Sequence, residues 1–268
     1  MLLNRNGNPR SELVWLAEQN GIPHAKTLTV PDLFAAILKT WIQTGKGDVQ
    51  HRFQISGDAP NDETWDVLTA LGQTEAIDAT SDQSYRLSIA GGALLGLFMR
   101  RLECLQAQRA RGVDLDQDVL VVLGGGRILD PKTDDIAAFC SKHGISVPAE
   151  SVMPKTERQM VRFVARNYPG LPHIEPHGSD DEQATFESTL IDWMQGSPSR
   201  DVWKGERVLL ISSQPYAGHQ LGVLRRVLPW SCKVSLAADA ATRTLPLKTF
   251  LDTLAKQLAL ELEAENST

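Results

Sequence analysis

The segment Asp118–Arg127 has the sequence DVLVVLGGGR, and it carries most of the information about the fold. After its first residue comes an unbroken apolar run of valine and leucine, which is typical of a β-strand that is covered on both faces. Three glycines and an arginine then end the run. A short buried strand that stops at a glycine-rich turn indicates a parallel α/β sheet.

Other segments repeat this pattern of a short strand followed by a helix. The predicted strands are Tyr85–Ala90, Asp118–Leu123, a short one at His173–His177, Arg207–Ser212 and Cys232–Ala237. Amphipathic helices separate them, which indicates βαβ units and a parallel sheet. Because right-handed crossovers place helices on both faces of such a sheet, we predict a Rossmann-like three-layer α/β fold.

The N-terminal part of the chain has apolar residues at helical spacing and no convincing strand. Helices are expected to begin at Ser11, near Pro31, and at Asn61 or Asp62, where a capping residue or a proline comes before an apolar stripe. We therefore predict that residues 1–82 form a helical subdomain and that residues 83–268 form the Rossmann-like domain.

Charge and composition disfavour several classes of partner. The formal net charge is −6, so no overall positive field attracts nucleic acid or an anionic membrane. The cysteines Cys104, Cys140 and Cys232 form no CxxC pair, and the polar N-terminus is not typical of a signal peptide. We expect reduced thiols, a small-molecule ligand rather than nucleic acid or membrane, and a cytoplasmic location. The oligomeric state is left open.

Two glycine turns are candidate ligand sites at strand ends. Ligands of parallel sheets bind along the edge where the carboxyl ends of the strands meet. The residues at these turns are Gly91 and Gly92 after the first strand, and Gly124, Gly125, Gly126 and Arg127 after the second. Glycine N–H groups and a guanidinium fork favour an anionic ligand. At Gly91 and Gly92 the alternative is a tight turn without a ligand, because neither GxGxxG nor a P-loop is present. At the second turn the alternative is a flexible turn with a surface arginine.

A third candidate segment follows the strand Arg207–Ser212. Its polar residues are Ser212, Ser213, Gln214, Tyr216, His219 and Gln220. The alternative is a capping turn, in which a serine hydroxyl accepts from helix N–H groups.

Carboxylates and a hydroxyl at helix starts complete the set of candidate site residues. Glu157 or Glu187 is the candidate general base, His219 the candidate proton shuttle, and Thr185 a ligand-lining residue. Acidic residues in a first turn also complement the helix dipole without any catalytic purpose. No metal site is expected, because His173 and His177 lie in a predicted strand that contains Pro176 and therefore do not form a helical metal pair.

The order of these motifs resembles the bacterial domain family that includes SanA, ElyC and YdcF. The matching segments are IAGG at Ile89–Gly92, Arg100 or Arg101, LGGGR at Leu123–Arg127, Thr156–Glu157, ATFES at Ala184–Ser188 and ISSQPYAGHQ at Ile211–Gln220. The resemblance implies a Rossmann-like domain with polar residues along the sheet edge. For members of the YdcF type it also implies that S-adenosylmethionine is bound.

Together, these features predict a YdcF-like protein that binds an anionic or nucleotide-like small molecule at the carboxyl edge of the sheet. Arg100 and Arg127 are the predicted cationic contacts, because a guanidinium pairs bidentately with an anion. S-adenosylmethionine or a nucleotide is the candidate cofactor. Whether the protein catalyses a reaction is left open.

Two other functions are kept as alternatives. A hydrolase or transferase would use Ser212 or Ser213 as a nucleophile with His219. A non-enzymatic binding or scaffold protein would present its N-terminal helices to a partner. In that case the tryptophans at helical spacing, Trp15, Trp41 and Trp65, would serve as anchors.

Overall fold

The computed structural model describes residues 1–42, 57–80, 83–115, 119–168, 170–171, 173–196 and 205–265. The helices are α1 (Ser11–Gln19), α2 (Val30–Trp41), α3 (Asp62–Ala70), α4 (Leu95–Ala110), α5 (Ile136–His143), α6 (Glu157–Asn167), α7 (Phe186–Gly196), α8 (Ala217–Val227) and α9 (Leu247–Glu265). The strands are β1 (Leu87–Gly91), β2 (Val119–Gly124), β3 (His173–Gly178), β4 (Arg207–Ser213) and β5 (Lys233–Asp239). Short 3-10 helices occur at Ala25–Thr27 and Glu150–Val152.

The strands form one parallel sheet in the order β3-β2-β1-β4-β5. In this order the chain runs outward from β1 through β2 to β3, and then crosses back to β4 and β5. The strand order therefore reverses between β1 and β4, and a crevice at the carboxyl ends of these two strands is the usual ligand position in such sheets. The prediction of a Rossmann-like α/β fold is confirmed.

The strands lie close to their predicted positions, because the segments that are buried in the sheet are also largely apolar in the sequence. Every residue of β1 is buried, and β2 and β4 are buried except at their first residue. A strand covered on both faces needs apolar residues in continuous runs, and these runs made the strands recognisable. Asp118, the predicted start of β2, lies outside the described residues.

The chain divides into two compact units, each built from more than one chain segment. The first unit comprises Met1–Ala76, Gln214–Val223 and Ala240–Thr268, and the second comprises Ile77–Ser213 and Leu224–Asp239. The predicted domain boundary between residues 82 and 83 stays a prediction. Residues 81 and 82 lie outside the described residues.

The core of the first unit combines N-terminal helices with the C-terminal helix. Leu33 and Trp41 of α2 are buried in one apolar cluster with Phe250, Leu254 and Leu258 of α9. The ends of α2 and α3 are fixed by side-chain caps, since Thr29 accepts from the N–H of Asp32 and Asn61 from that of Thr64. Of the proposed tryptophan anchors, Trp41 is buried in this core, whereas Trp15 and Trp65 pack against it and are partly buried.

The core of the second unit joins the sheet to α4, α5 and α6. Phe98 and Leu102 of α4, Val122 of β2, Met160 of α6 and Ile211 of β4 belong to one buried cluster. The thiols of Cys104 and Cys140 are buried and free. Burial and the nearby Asp239 raise the pKa of the Cys104 thiol to about 11, so this thiol stays protonated and unreactive at neutral pH.

None of the helices in the described part of the chain is both long enough and apolar enough to span a membrane.

Substitution of Leu254 by alanine tests the composite core of the first unit. Leu254 is fully buried, so its truncation should lower the free energy of unfolding by about 2–5 kcal/mol. The matched control is Lys248→Ala at the exposed start of α9, with an expected change within about 0.5 kcal/mol. Urea unfolding followed by tryptophan fluorescence measures both values. Equal stabilities of the two variants would contradict the packing of α9 against α2.

Candidate functional site

A buried ion cluster lies beyond the carboxyl end of β2. The guanidinium of Arg127 donates to both carboxylate oxygens of Asp134, at 2.9 and 3.3 Å, and its Nε donates to Glu157 at 3.1 Å. The Arg127 side chain is 4% exposed and that of Asp134 is fully buried. Fork-to-carboxylate pairing of this kind fixes orientation as well as charge, so the three side chains form one rigid group.

Asp134 connects this cluster to the first helix after β1. Its Oδ1 accepts from the backbone N–H of Leu95 at 2.8 Å, and its Oδ2 accepts from that of Asp130 at 3.2 Å. Leu95 is the first residue of α4, where backbone N–H groups have no partner within the helix. Asp134 therefore fixes the start of α4 and the orientation of Arg127 with the same carboxylate.

Glu157 is the carboxylate at the start of α6. Its Oε1 accepts from the N–H of Gly125 at 3.1 Å, and a Cβ on Gly92 would clash with this oxygen. Burial raises the pKa of Glu157, although Arg127, the Gly125 N–H and Arg101 act in the opposite direction. Glu157 is thus placed against the glycine turns of both β1 and β2, in an environment that disfavours its charged form.

The glycines after β2 allow close approach of neighbouring backbone. A Cβ on Gly124 would lie 3.0 Å from the Cα of Arg158, and one on Gly126 would lie 2.5 Å from the carbonyl oxygen of Asp180. The N–H of Gly126 donates to the carbonyl of Asp181 at 3.1 Å. Ligand binding by Gly124, Gly125, Gly126 and Arg127 stays a prediction.

Arg101 joins the ends of β1 and β4. Its Nη1 donates to the carbonyl oxygens of Gly91 and Gly92 at 2.6 and 3.1 Å, and its Nε donates to the hydroxyl of Ser213 at 3.3 Å. The residue is 1% exposed. A charged guanidinium is therefore buried at the point where the strand order of the sheet reverses.

Arg100 occupies a different position from its neighbour. Its side chain forms an ion pair with Asp239 at the end of β5, and both groups are about one-third exposed. Of the two arginines in the motif, Arg101 is the one at the ends of β1 and β4. The predicted contact between Arg100 and a ligand stays a prediction.

The predicted polar segment after β4 is divided between the two units. Ser212 and Ser213 are buried in the second unit, where the Ser213 hydroxyl accepts from Arg101. The predicted residues after them belong to the first unit, namely Gln214, Tyr216, His219 and Gln220. There the Gln214 amide donates to the carbonyl of Gly72 at 3.0 Å. The predicted functions of these residues stay predictions.

The candidate residues on α7 make the contacts of a helix start. The N–H of Ser188 donates to the Thr185 hydroxyl at 3.1 Å, which is a capping contact. Glu187 forms an ion pair with Arg226 on the surface. Of the two candidate bases, Glu157 is therefore the one held beside the ends of β1 and β2.

The sequence indicates Arg101 only as an alternative to Arg100, and it gives no indication of Asp134. The signal for Arg101 was its helical phase, because Arg101 lies three residues after Phe98 and four before Leu105 on the buried stripe of α4. Asp134 had no such signal, since it lies in the polar loop between β2 and α5.

No group of three or more His, Cys, Asp or Glu side chains within the described ranges is arranged to hold a metal ion. Burial lowers the pKa of His177, which lies in β3. The side chain of His173 lies outside the described residues.

Comparison with known proteins assigns no family. No family model matches the chain, and no curated protein matches it. The resemblance to the SanA, ElyC and YdcF family stays a prediction.

Substitution of Gly126 by alanine tests the close packing of the turn after β2. The new methyl group would press against the backbone of Asp180, so we expect a loss of about 1–3 kcal/mol in the free energy of unfolding. The matched control is Gly96→Ala, because a Cβ at this exposed helical position meets no atom. The control should gain about 0.4–1 kcal/mol. If Gly126→Ala and wild type have the same free energy of unfolding in urea, the close packing of this turn is contradicted.

Substitution of Glu157 by glutamine tests the raised pKa of this carboxyl. The folded-state pKa lies above the ordinary value of 4.5, so the folded protein retains a proton that the unfolded chain releases above that pH. The titration of Glu157 therefore lowers stability as the pH rises through this window. Glutamine does not titrate, so the unfolding free energy of Glu157→Gln should rise relative to wild type from pH 4.5 toward neutrality. If the difference in unfolding free energy between Glu157→Gln and wild type does not change with pH, the raised pKa of Glu157 is contradicted.

Proposed function

We propose that the second unit binds an anionic, nucleotide-like small molecule in the crevice at the carboxyl ends of β1 and β4. The observation that carries this proposal is the buried guanidinium of Arg101, which contacts the backbone of the last residue of β1 and the last side chain of β4. Open parallel sheets bind ligands where their strand order reverses. Arg101 contacts both strand ends at that position.

The energetic cost of the ion cluster supports a functional explanation. Arg101, Arg127, Asp134 and Glu157 are all buried. Removing charges from water costs several kcal/mol per ion, and well-packed apolar residues are often at least as stabilising as buried ion pairs. Buried charges that gather at one edge of a sheet, with a carboxyl whose pKa burial raises as it does for Glu157, are typical of functional sites. Ligand binding would explain why charged groups that also hold helix and strand ends in place are kept at this edge of the sheet.

The residues of the site suit different parts of such a ligand. Arg101, with the partly exposed Arg100 on the same helix, supplies positive charge that favours a carboxylate or phosphate. Glu157 offers an acceptor to a hydroxyl or amine, and its raised pKa makes it the acid–base candidate of the site. A nucleotide and S-adenosylmethionine both combine an anionic group with ribose hydroxyls. These two ligands are the first candidates.

The serine-nucleophile alternative has less support from the geometry. The Ser213 hydroxyl is fully buried and accepts a hydrogen bond from a cation, which opposes its action as a nucleophile. We therefore propose ligand binding at the crevice and no covalent step through Ser213.

A thermal-shift assay with AMP, S-adenosylmethionine and glucose 6-phosphate tests the proposal. A ligand present at 100 times its Kd should stabilise the protein by about 2.7 kcal/mol, which raises Tm by roughly 5 °C or more. Arg101→Met should abolish this shift, and Arg101→Lys should reduce it because lysine lacks the planar fork. Each variant is compared with its own Tm without ligand.

The control variant is Arg109→Met, on the same helix but at a partly exposed position where the arginine donates to the carbonyl of Gly170. This variant should keep the full shift. The absence of a shift in wild type with all three compounds, or an unchanged shift in Arg101→Met, would overturn the proposed site.

A further inference from the structure

A cavity of about 430 Å³ lies in the second unit beside the loop that follows β2. Its lining is mostly apolar and includes Ile128 and Leu129 from this loop, Ile136 and Ala137 from the first turn of α5, and Met153. A volume of several hundred Å³ is typical of small-ligand pockets. The cavity is thus large enough for a body of aromatic or aliphatic carbon.

Apolar surface is exposed to solvent next to this cavity. Ile128 is 53% exposed, and Val152, directly before Met153, is 69% exposed. The N–H of Leu129 donates to the carbonyl of Lys155 at 3.0 Å, which joins the two segments that carry these side chains. Large apolar side chains exposed to water favour a partner that removes them from water.

The charged residues of the lining differ in their availability. The carboxylate of Asp134 is occupied by Arg127, and that of Asp135 caps α5 by accepting from the N–H of Ala138 at 2.9 Å. Lys155 also lines the cavity and is exposed. Across the described ranges, its ammonium has no carboxylate within 4.0 Å. The cavity therefore combines an apolar wall with the ammonium of Lys155 and, at the start of α5, the carboxylate of Asp135, whose charge the N–H of Ala138 and the helix dipole partly offset.

We propose that this cavity binds an amphiphilic monoanion, with an aliphatic or aromatic body against Ile128, Ile136 and Met153 and a carboxylate or phosphate head at Lys155. The apolar lining provides the affinity, and the unpaired ammonium selects an anionic head over a neutral one. This site does not depend on the proposed crevice site, because Arg101 and the residues that it contacts are absent from its lining.

Fluorescence titration with 8-anilinonaphthalene-1-sulfonate, an aromatic monoanion, tests this proposal on the full-length protein. Wild type should bind one equivalent with enhanced fluorescence. Ala137→Trp should fill the cavity and weaken binding at least about tenfold, whereas Ala138→Trp, at an exposed neighbouring position outside the lining, should bind like wild type. Both alanines are exposed, so the variants should fold, which circular dichroism verifies.

The charge requirement is tested by Lys155→Met, with Lys132→Met as the matched control because Lys132 is exposed and does not line the cavity. Lys155→Met should weaken binding of the probe about threefold to fivefold, as expected for a partly exposed ion pair. Decanoate should displace the probe from wild type more effectively than decanol, and Lys155→Met should lose this preference.

Equal binding by Ala137→Trp and wild type would overturn the cavity as the site. Equal binding by Lys155→Met and wild type, or equal competition by decanoate and decanol, would overturn the anionic class of ligand. Arg101→Met should bind the probe like wild type. Failure of the crevice site and failure of this cavity are therefore distinguishable.

Discussion

The pairing of Arg127 with two carboxylates organises the carboxyl edge of the sheet in the second unit. Asp134 holds the guanidinium from the loop before α5 and also binds the first N–H of α4. Glu157 holds it from the start of α6 and also binds the turn after β2. Removal of one partner from a buried pair leaves an uncompensated charge, at a cost of about 3–5 kcal/mol. The positions of three helix and strand ends therefore depend on this one group.

The fold could be predicted from the sequence because the physical demands on a buried parallel sheet are local. Strands such as β2 and β4 are covered on both faces, so apolar runs and the turns that end them are visible in the sequence. The chain segments that make up each of the two units could not be predicted in this way. The contact between α2 and α9 joins segments about 200 residues apart, and both helices show the same amphipathic pattern that any surface helix would show.

The candidate site could be predicted only in part, because sequence shows which residues follow a strand but not which oxygen each donor will meet. Gly125 and Arg127 were expected to bind an anion, and in the structure both bind the carboxylate of Glu157. The position of Arg101 follows from helical phase, whereas Asp134 is brought in by a loop whose path depends on tertiary packing. Residues on regular elements are thus placed by periodicity, and loop residues are not.

We propose that the ends of β1 and β4, with Arg101 between them, form the ligand site of the second unit. Hydrogen exchange of the backbone amides, measured by mass spectrometry with and without AMP or S-adenosylmethionine, tests this claim most directly. We expect one of these compounds to slow exchange in peptides that cover residues 91–95, with little change in peptides that cover α5. Slowed exchange confined to other segments, or none with either compound, would contradict the account.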